Sequence, residues 1–235
     1  MALTDEAIGK FKEMILSGRI RPGEKLPVEK ELAEQLGLSR SSLREAVRAL
    51  TLIGVLKTRR GDGTYVTSLE PELLFGATGL VMDLLQGSTL VELVEVRRLL
   101  EPGATALTAA RIDNANLARL KDCMERIDAA RDIEELIEAD DEFHAIVADS
   151  AGNATLSSLL RSLSGRTLRA RLWRGLTDDD VIERTKAGHH AIYKAIESRD
   201  PEQARAAATM HVLETESWFR RVAEANEPKI AERRA

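Results

Sequence analysis

Apolar residues recur along this chain every three or four positions, so the pattern predicts helices over most of its length. "TDEAIGKFKEMILSG" spaces Ile8, Phe11, Ile15 and Leu16 for one amphipathic helix and places acids in its first turn. "RIRPGEKLP" reads as a loop, and "PVEKELAEQLG" as a short helix with Pro27 at its start and Gly37 as its stop. After Gly37, "LSRSSLREAVRALTLIGVL" predicts a third helix capped by Ser39, with Leu43, Ala46, Val47 and Leu50 on one face. "GVLKTRRGDGTYVTS" departs from this period and predicts two short strands joined at Asp62-Gly63. Helix, short helix, tight turn, helix and hairpin form the order of a winged helix-turn-helix, whose second motif helix enters the DNA major groove.

Beyond "TSLEPE" the helical period resumes. Residues 73–85 open this region, and Leu90, Leu93, Val96 and Leu100 mark a helix interrupted at Pro102-Gly103. Further helices are predicted over 114–130, 132–150, 153–174, 178–198 and 201–223, followed by a frayed tail. No Gly-rich phosphate loop appears, and no strand pattern supports a parallel sheet. The expected fold class is mainly α: a winged helix-turn-helix with a small β-hairpin wing over 1–67, a linker over 68–72, and an all-α antiparallel helical bundle over 73–225, with 226–235 as a tail.

Composition agrees with this division. Aromatic residues make up only 3% of the 235 positions while Ala, Leu, Glu and Arg are plentiful, which favours helix over strand. The single cysteine, Cys123, excludes an intrachain disulfide; its amphipathic setting near Leu120 and Ile127 suggests core packing. No apolar run approaches the roughly 18 residues of a membrane span, so a cytoplasmic protein is expected. The net charge of −5 divides unevenly: residues 1–67 carry 12 Lys/Arg against 9 Asp/Glu, and the rest carries 22 against 30. Such a division suggests a basic module with a polyanionic partner, fused to an acidic module with another task.

Arg40 and Arg44 lie near the start of the predicted third helix, the positive end of its dipole. A chain places guanidinium groups there at some cost unless the missing anion belongs to a partner. The first residues of a recognition helix reach base edges and phosphates, and one good bidentate arginine contact is worth about 1–3 kcal/mol. Ser39, Ser41 and Ser42 add hydroxyl donors. The simpler reading is a surface helix whose arginines pair with Glu45 or Glu34.

All four histidines fall in the second module. Asp140 and His144 are four apart in "DDEFH" and share a helix face. His189 lies 11 residues before Asp200 and His211 lies 11 after it, with "SRDPE" as the turn, so the two should meet across a helical hairpin. These four side chains could converge on a divalent ion, Zn²⁺, Ni²⁺ or Mn²⁺, with water or a ligand carboxylate completing the shell. Taken singly, each histidine is as well read as a capped or solvated residue.

"RIRPGEKLPVEKELAEQLGLSRSSLREAVRALTLIGVLKTRRGDGTYV" resembles the DNA-binding domain of the GntR family of bacterial transcription regulators, without gaps from about Thr4 to Val66. The resemblance implies DNA contacts from Lys30, Arg40, Ser41, Arg44 and the wing pair Arg60-Gly61. Lys30 stands where the family often has Arg, keeping the charge but losing the fork. Asp62 falls close to the expected minor-groove contact, where an acid opposes phosphate. "VRRLLEPGATALTAA", "DDEFHAIVADSAGN" and "GHHAIYKAIESRDPEQARAAATMH" resemble the FCD effector domain. That resemblance implies a metal set of Asp140, His144, His189 and His211, with His190 outside it unless a shifted helix exchanges the two. It also implies effector contacts from Arg97 and Asn153. An ion pair with Glu101 and a helix N-cap are the respective simpler readings.

Together these readings predict a transcription regulator, a repressor relieved by ligand. A homodimer would hold a palindromic double-stranded operator, and a small carboxylate metabolite would bind at the metal in the bundle. Two rivals stand beside it. One is a metal-dependent enzyme on the bundle, with Asp141 or Glu142 as base; the other is a bundle serving only as a dimerisation scaffold.

Overall fold

The computed structural model describes residues 3–73, 89–163 and 181–232. The helix expected to open at residue 73, and the parts of the expected 153–174 and 178–198 helices falling in 164–180, lie outside the described residues. Contacts divide the chain into two units, Met1–Leu80 and Val81–Ala235.

The first unit contains helices α1 (Leu3–Leu16), α2 (Glu29–Leu36) and α3 (Arg40–Leu52), then strands β1 (Leu56–Arg59) and β2 (Gly63–Val66). Its core gathers Ala7, Phe11 and Met14 of α1, Leu32 and Leu36 of α2, Leu43, Ala46 and Leu50 of α3, and Leu56 and Val66 of the strands. Leu16, assigned from its spacing to the buried face, is 76% exposed; Met14 fills that place one turn below Phe11. Helix α2 begins at Glu29, after Val28 rather than at Pro27, and ends on Gly37, whose left-handed φ of 60° frees the chain to turn. Ser39 caps α3 as expected, its Oγ accepting from Ser42 N at 3.1 Å.

The hairpin pairs Leu56 with Val66 and Arg59 with Gly63, so the connection is the three residues Arg60, Gly61 and Asp62. The turn glycine is therefore Gly61, at φ 77°, and Gly63 already belongs to β2. The segment read as a loop before α2 is tied to the same sheet. Leu26 N donates to Thr64 O, Val66 N to Glu24 O and Gly23 N to Val66 O, and Lys25 forms a bridge with Tyr65.

The second unit is helical throughout its described residues. It comprises α4 (Thr89–Arg111), α5 (Asn114–Ala129), α6 (Ile133–Ser150), helical residues 154–163, α7 (Val181–Glu197) and α8 (Pro201–Glu232). Helix α8 packs along α4 and α7, and α6 packs against α5 and α4. The main core joins Leu120, Cys123 and Ile127 of α5, Leu136, Phe143 and Ile146 of α6, and Ile192 and Ile196 of α7. A fully buried ring such as Phe143 contributes about 2–3 kcal/mol of apolar transfer.

Three sequence expectations are corrected here. Helix α4 runs unbroken through Pro102, although an interior proline costs a helix about 3 kcal/mol. Its two flanks are packed on other helices, and this tertiary burial outweighs the missing N–H. Its buried face is also not the predicted apolar stripe: Leu93 is buried, but Val96 is 38% exposed, while Arg97, Glu101, Thr105 and Thr108 face inward. Helix α8 continues to Glu232, beyond the expected end at 223. No helix among the described residues is long and apolar enough to cross a membrane.

Candidate metal centre and nucleic-acid interface

One helix face brings Asp140 and His144 together on α6, as the four-residue spacing requires. Helix α7 supplies His189 and α8 supplies His211, since the turn at Asp200 folds the two helices back on each other. The donor atoms of all four side chains lie within 4.8 Å of one another. The imidazole centroids are 4.6 Å apart for His189–His211 and 5.3 Å for His144 with either of the others. Phe143 packs edge-on against His189 at 4.6 Å and walls the cluster from the core.

One hydrogen bond fixes which ring nitrogen of His189 is a donor. Its Nδ1 lies 2.7 Å from Thr185 O, a carbonyl that only accepts, so Nδ1 carries the proton. In a neutral ring Nε2 then offers a lone pair. That atom is buried without a hydrogen-bond partner, yet Asp140 Oδ1 is 3.1 Å away. In that tautomer both atoms are acceptors, an arrangement that a cation held between them satisfies. His144 Nε2 is likewise buried without a hydrogen bond, 3.6 Å from the same carboxylate oxygen. Three imidazoles and one carboxylate make a donor set suited to a divalent transition ion.

His190 points elsewhere: its Nε2 pairs with Asp128 Oδ1 on α5 at 2.8 Å, and the side chain is exposed. Gly188, which sequence reasoning passed over, shapes the cluster instead. A Cβ there would lie 2.7 Å from His211 Nδ1, so only glycine lets α8 bring that imidazole in.

A cavity of about 250 Å³ adjoins the cluster at His144 and is also lined by Glu101, Thr105, Asp141 and Arg161. Arg97 is not among its lining residues. It is buried in an ion pair with Glu101, whose other oxygen is 4.0 Å from His144 Nδ1. Asn153 also stands apart, its Oδ1 accepting from Leu156 N as a helix cap. The cavity's arginine is Arg161, bonded to Asp149 at 3.0 Å. Sequence gave no signal for it, because nothing in the period of 153–174 marks which arginine faces α6.

In the first unit, Lys30, Ser39, Arg40, Ser41, Arg44, Arg60 and Gly61 are all exposed. Arg40, Ser41 and Arg44 lie on α3 away from buried Leu43, Ala46 and Leu50. Among the described residues Lys30, Arg40 and Arg60 make no ion pair. Arg44 pairs with Glu29 at 3.2 Å rather than with Glu45 or Glu34. Those side chains are 55% and 59% exposed, and such a pair is worth about 0–1 kcal/mol, which a phosphate readily displaces. The Ser39 hydroxyl is occupied as the cap and lies 2.9 Å from Ser41 Oγ, so of the two Ser39 serves the helix.

Comparison with known proteins agrees with both halves. Residues 3–66 match "Bacterial regulatory proteins, gntR family", and residues 92–214 match the FCD domain. The chain is 31% identical to the HTH-type transcriptional regulator LutR of Bacillus subtilis (strain 168) over 209 residues, 86% of this chain and 94% of that protein. It is 29% identical to the galactonate operon transcriptional repressor of Escherichia coli (strain K12), covering 87% and 91% of the two chains. Among solved structures, Streptococcus agalactiae GntR superposes with a TM-score of 0.68 at 29% identity, covering 91% of this chain and 99% of that one. These relatives are transcriptional regulators, which decides against the enzyme reading. The chain belongs to the gntR family and is a DNA-binding transcriptional regulator with an FCD domain C-terminal to its helix-turn-helix reader.

Proposed function

We propose that this regulator is a repressor whose hold on a palindromic operator, bound as a homodimer, is relieved by a small organic acid in the cavity beside His144. The observation that carries the reading is the buried meeting of His189 Nε2 and Asp140 Oδ1, two acceptors that a cation reconciles, next to a ligand-sized space. Asp140, His144, His189 and His211 would hold a divalent ion, Zn²⁺ by donor preference, with Ni²⁺ and Mn²⁺ as alternatives. Bound there, the ion supplies a Lewis-acidic anchor for a carboxylate.

The chain's own groups orient the acid. Arg161 presents a guanidinium at the cavity, where a carboxylate binds it in fork geometry and competes with Asp149. Asp149 also accepts from Ser157, so its release loosens residues 154–163 from the end of α6. Arg97 acts at one remove: it neutralises Glu101, which borders both the cavity and His144. The E. coli relative named for repression of a galactonate operon supports both the sign of control and an acid ligand. Acid and operator must then weaken each other's binding by the same factor.

The test begins with metal analysis of protein purified without chelator. A near-stoichiometric divalent ion is expected in the unaltered protein and none in His144→Ala. A thermal-shift screen of small carboxylic acids follows, with operator binding read by fluorescence anisotropy. At least one acid should raise the unfolding midpoint and weaken DNA binding, and Arg161→Ala should lose that response while keeping its metal. Protein that carries no ion in either form supports the scaffold reading, and an acid that tightens operator binding overturns the repressor.

A further inference from the structure

An aspartate at the tip of a DNA-facing wing is expected to oppose phosphate. In this structure Asp62 faces its own chain. Its Oδ1 accepts from Lys25 Nζ at 3.0 Å, and its Oδ2 accepts from the Tyr65 hydroxyl at 2.7 Å. These three side chains join three separate pieces of backbone: the 23–26 strip paired to the sheet, the turn Arg60–Gly61–Asp62, and β2. The strip places Lys25 opposite Tyr65, and the lysine stem lies so close over the hairpin that a Cβ at position 63 would sit 2.6 Å from its Cε. Arg59 stacks its guanidinium 4.4 Å from the centre of the Tyr65 ring, so the ring is held by the strand below the turn as well. The Tyr65 hydroxyl, then the Lys25 ammonium, hold the Asp62 carboxyl below its ordinary range, so the acid is ionised at neutral pH.

We propose that Asp62 is a positioning residue for DNA binding: the Lys25–Asp62–Tyr65 clasp holds the wing turn in the conformation that presents Arg60 and Gly61 to the duplex. The inference rests on the reading that the wing meets DNA. A turn of three residues with Gly61 in the left-handed region has many alternative conformations, and a partner that binds one of them must freeze the rest. The clasp freezes them beforehand. Its carboxylate is already matched by a lysine, so the acid brings little repulsion to the phosphates.

The test uses the full chain and a duplex selected from a random-sequence pool by the unaltered protein, with affinity measured by anisotropy over a range of salt. Asp62→Ala is expected to weaken binding roughly threefold to tenfold, although it removes a negative charge from the wing. Tyr65→Phe, which alters no charge, should weaken it about threefold, and Asp62→Asn, which keeps an acceptor for Tyr65, should fall between the unaltered protein and Asp62→Ala. The salt dependence of Asp62→Ala should be unchanged, because Asp62 releases no counterion, whereas Arg60→Ala should reduce the slope by about one. Thermal midpoints should fall by no more than a few degrees, since Lys25 and Asp62 are exposed and Tyr65 is half-buried. The inference alone fails if Asp62→Ala binds as tightly as the unaltered protein or tighter, or loses affinity only because the winged unit is unfolded at the temperature of the assay. If Arg60→Ala changes neither affinity nor slope, the wing reading itself is wrong and the clasp goes with it.

Discussion

At position 188, an added Cβ would lie 2.7 Å from His211 Nδ1. Gly188→Ala should therefore push that imidazole out of the cluster while suiting the helix better, by about 1 kcal/mol. The expected outcome is metal affinity reduced about tenfold or more by calorimetric titration, in a metal-free protein whose helical circular dichroism is unchanged. Cys123 makes a second case at this scale. It is fully buried, its Sγ donates to Ala139 O at 3.1 Å, and burial pushes its thiol up to about 11. A raised value means less thiolate at neutral pH, so native protein should react with a thiol-specific dye far more slowly than denatured protein. The metal-candidate residues were legible because chemistry and period coincide: Asp140 and His144 share a face by spacing, and His189 and His211 are equidistant from the turn. Gly188 and Arg161 were not, because their importance lies in which side chain of another helix they meet.

Along α4, a polar and charged stripe is buried where an apolar one was expected, and the Arg97–Glu101 pair explains how it is tolerated. Replacing one partner strands a charge in the interior. Arg97→Ala should cost about 3–5 kcal/mol, read from the denaturant midpoint of the second unit. The double change to apolar residues of similar volume should cost much less, because no charge is left behind. The same helix shows why Pro102 misled the sequence reading: local propensity describes an isolated helix, and α4 is packed on α8, α6 and α7. In the wing, Gly residues announced the turn, but its register was set by pairing of Arg59 with Gly63. The 23–26 strip gave no period at all, since its order comes from hydrogen bonds to β2.

Two contact units predict separable unfolding for the whole chain. If the ion is bound in the second unit, chelation should lower that unit's midpoint and leave the winged unit's unchanged. At 100 times the dissociation constant, bound metal is worth about 2.7 kcal/mol to the unit that holds it. Operator affinity should fall steeply with salt, because Lys and Arg at phosphates release counterions, and Arg44→Ala should weaken it without changing metal content. A flat salt response would contradict an interface built on Arg40 and Arg44. The sequence by itself determined the helix-turn-helix order, the uneven charge, the capping of α3 by Ser39 and the four metal-candidate residues. The first three follow from period and residue chemistry within short stretches of chain, and the metal candidates from helix spacing together with the resemblance to the FCD domain. Tertiary structure alone decided that α4 would ignore its proline, that Arg161 rather than Arg97 would line the cavity, and that Asp62 would turn inward onto Lys25 and Tyr65. Those outcomes depend on side chains distant in sequence meeting at a few ångströms, and no local pattern encodes such a meeting.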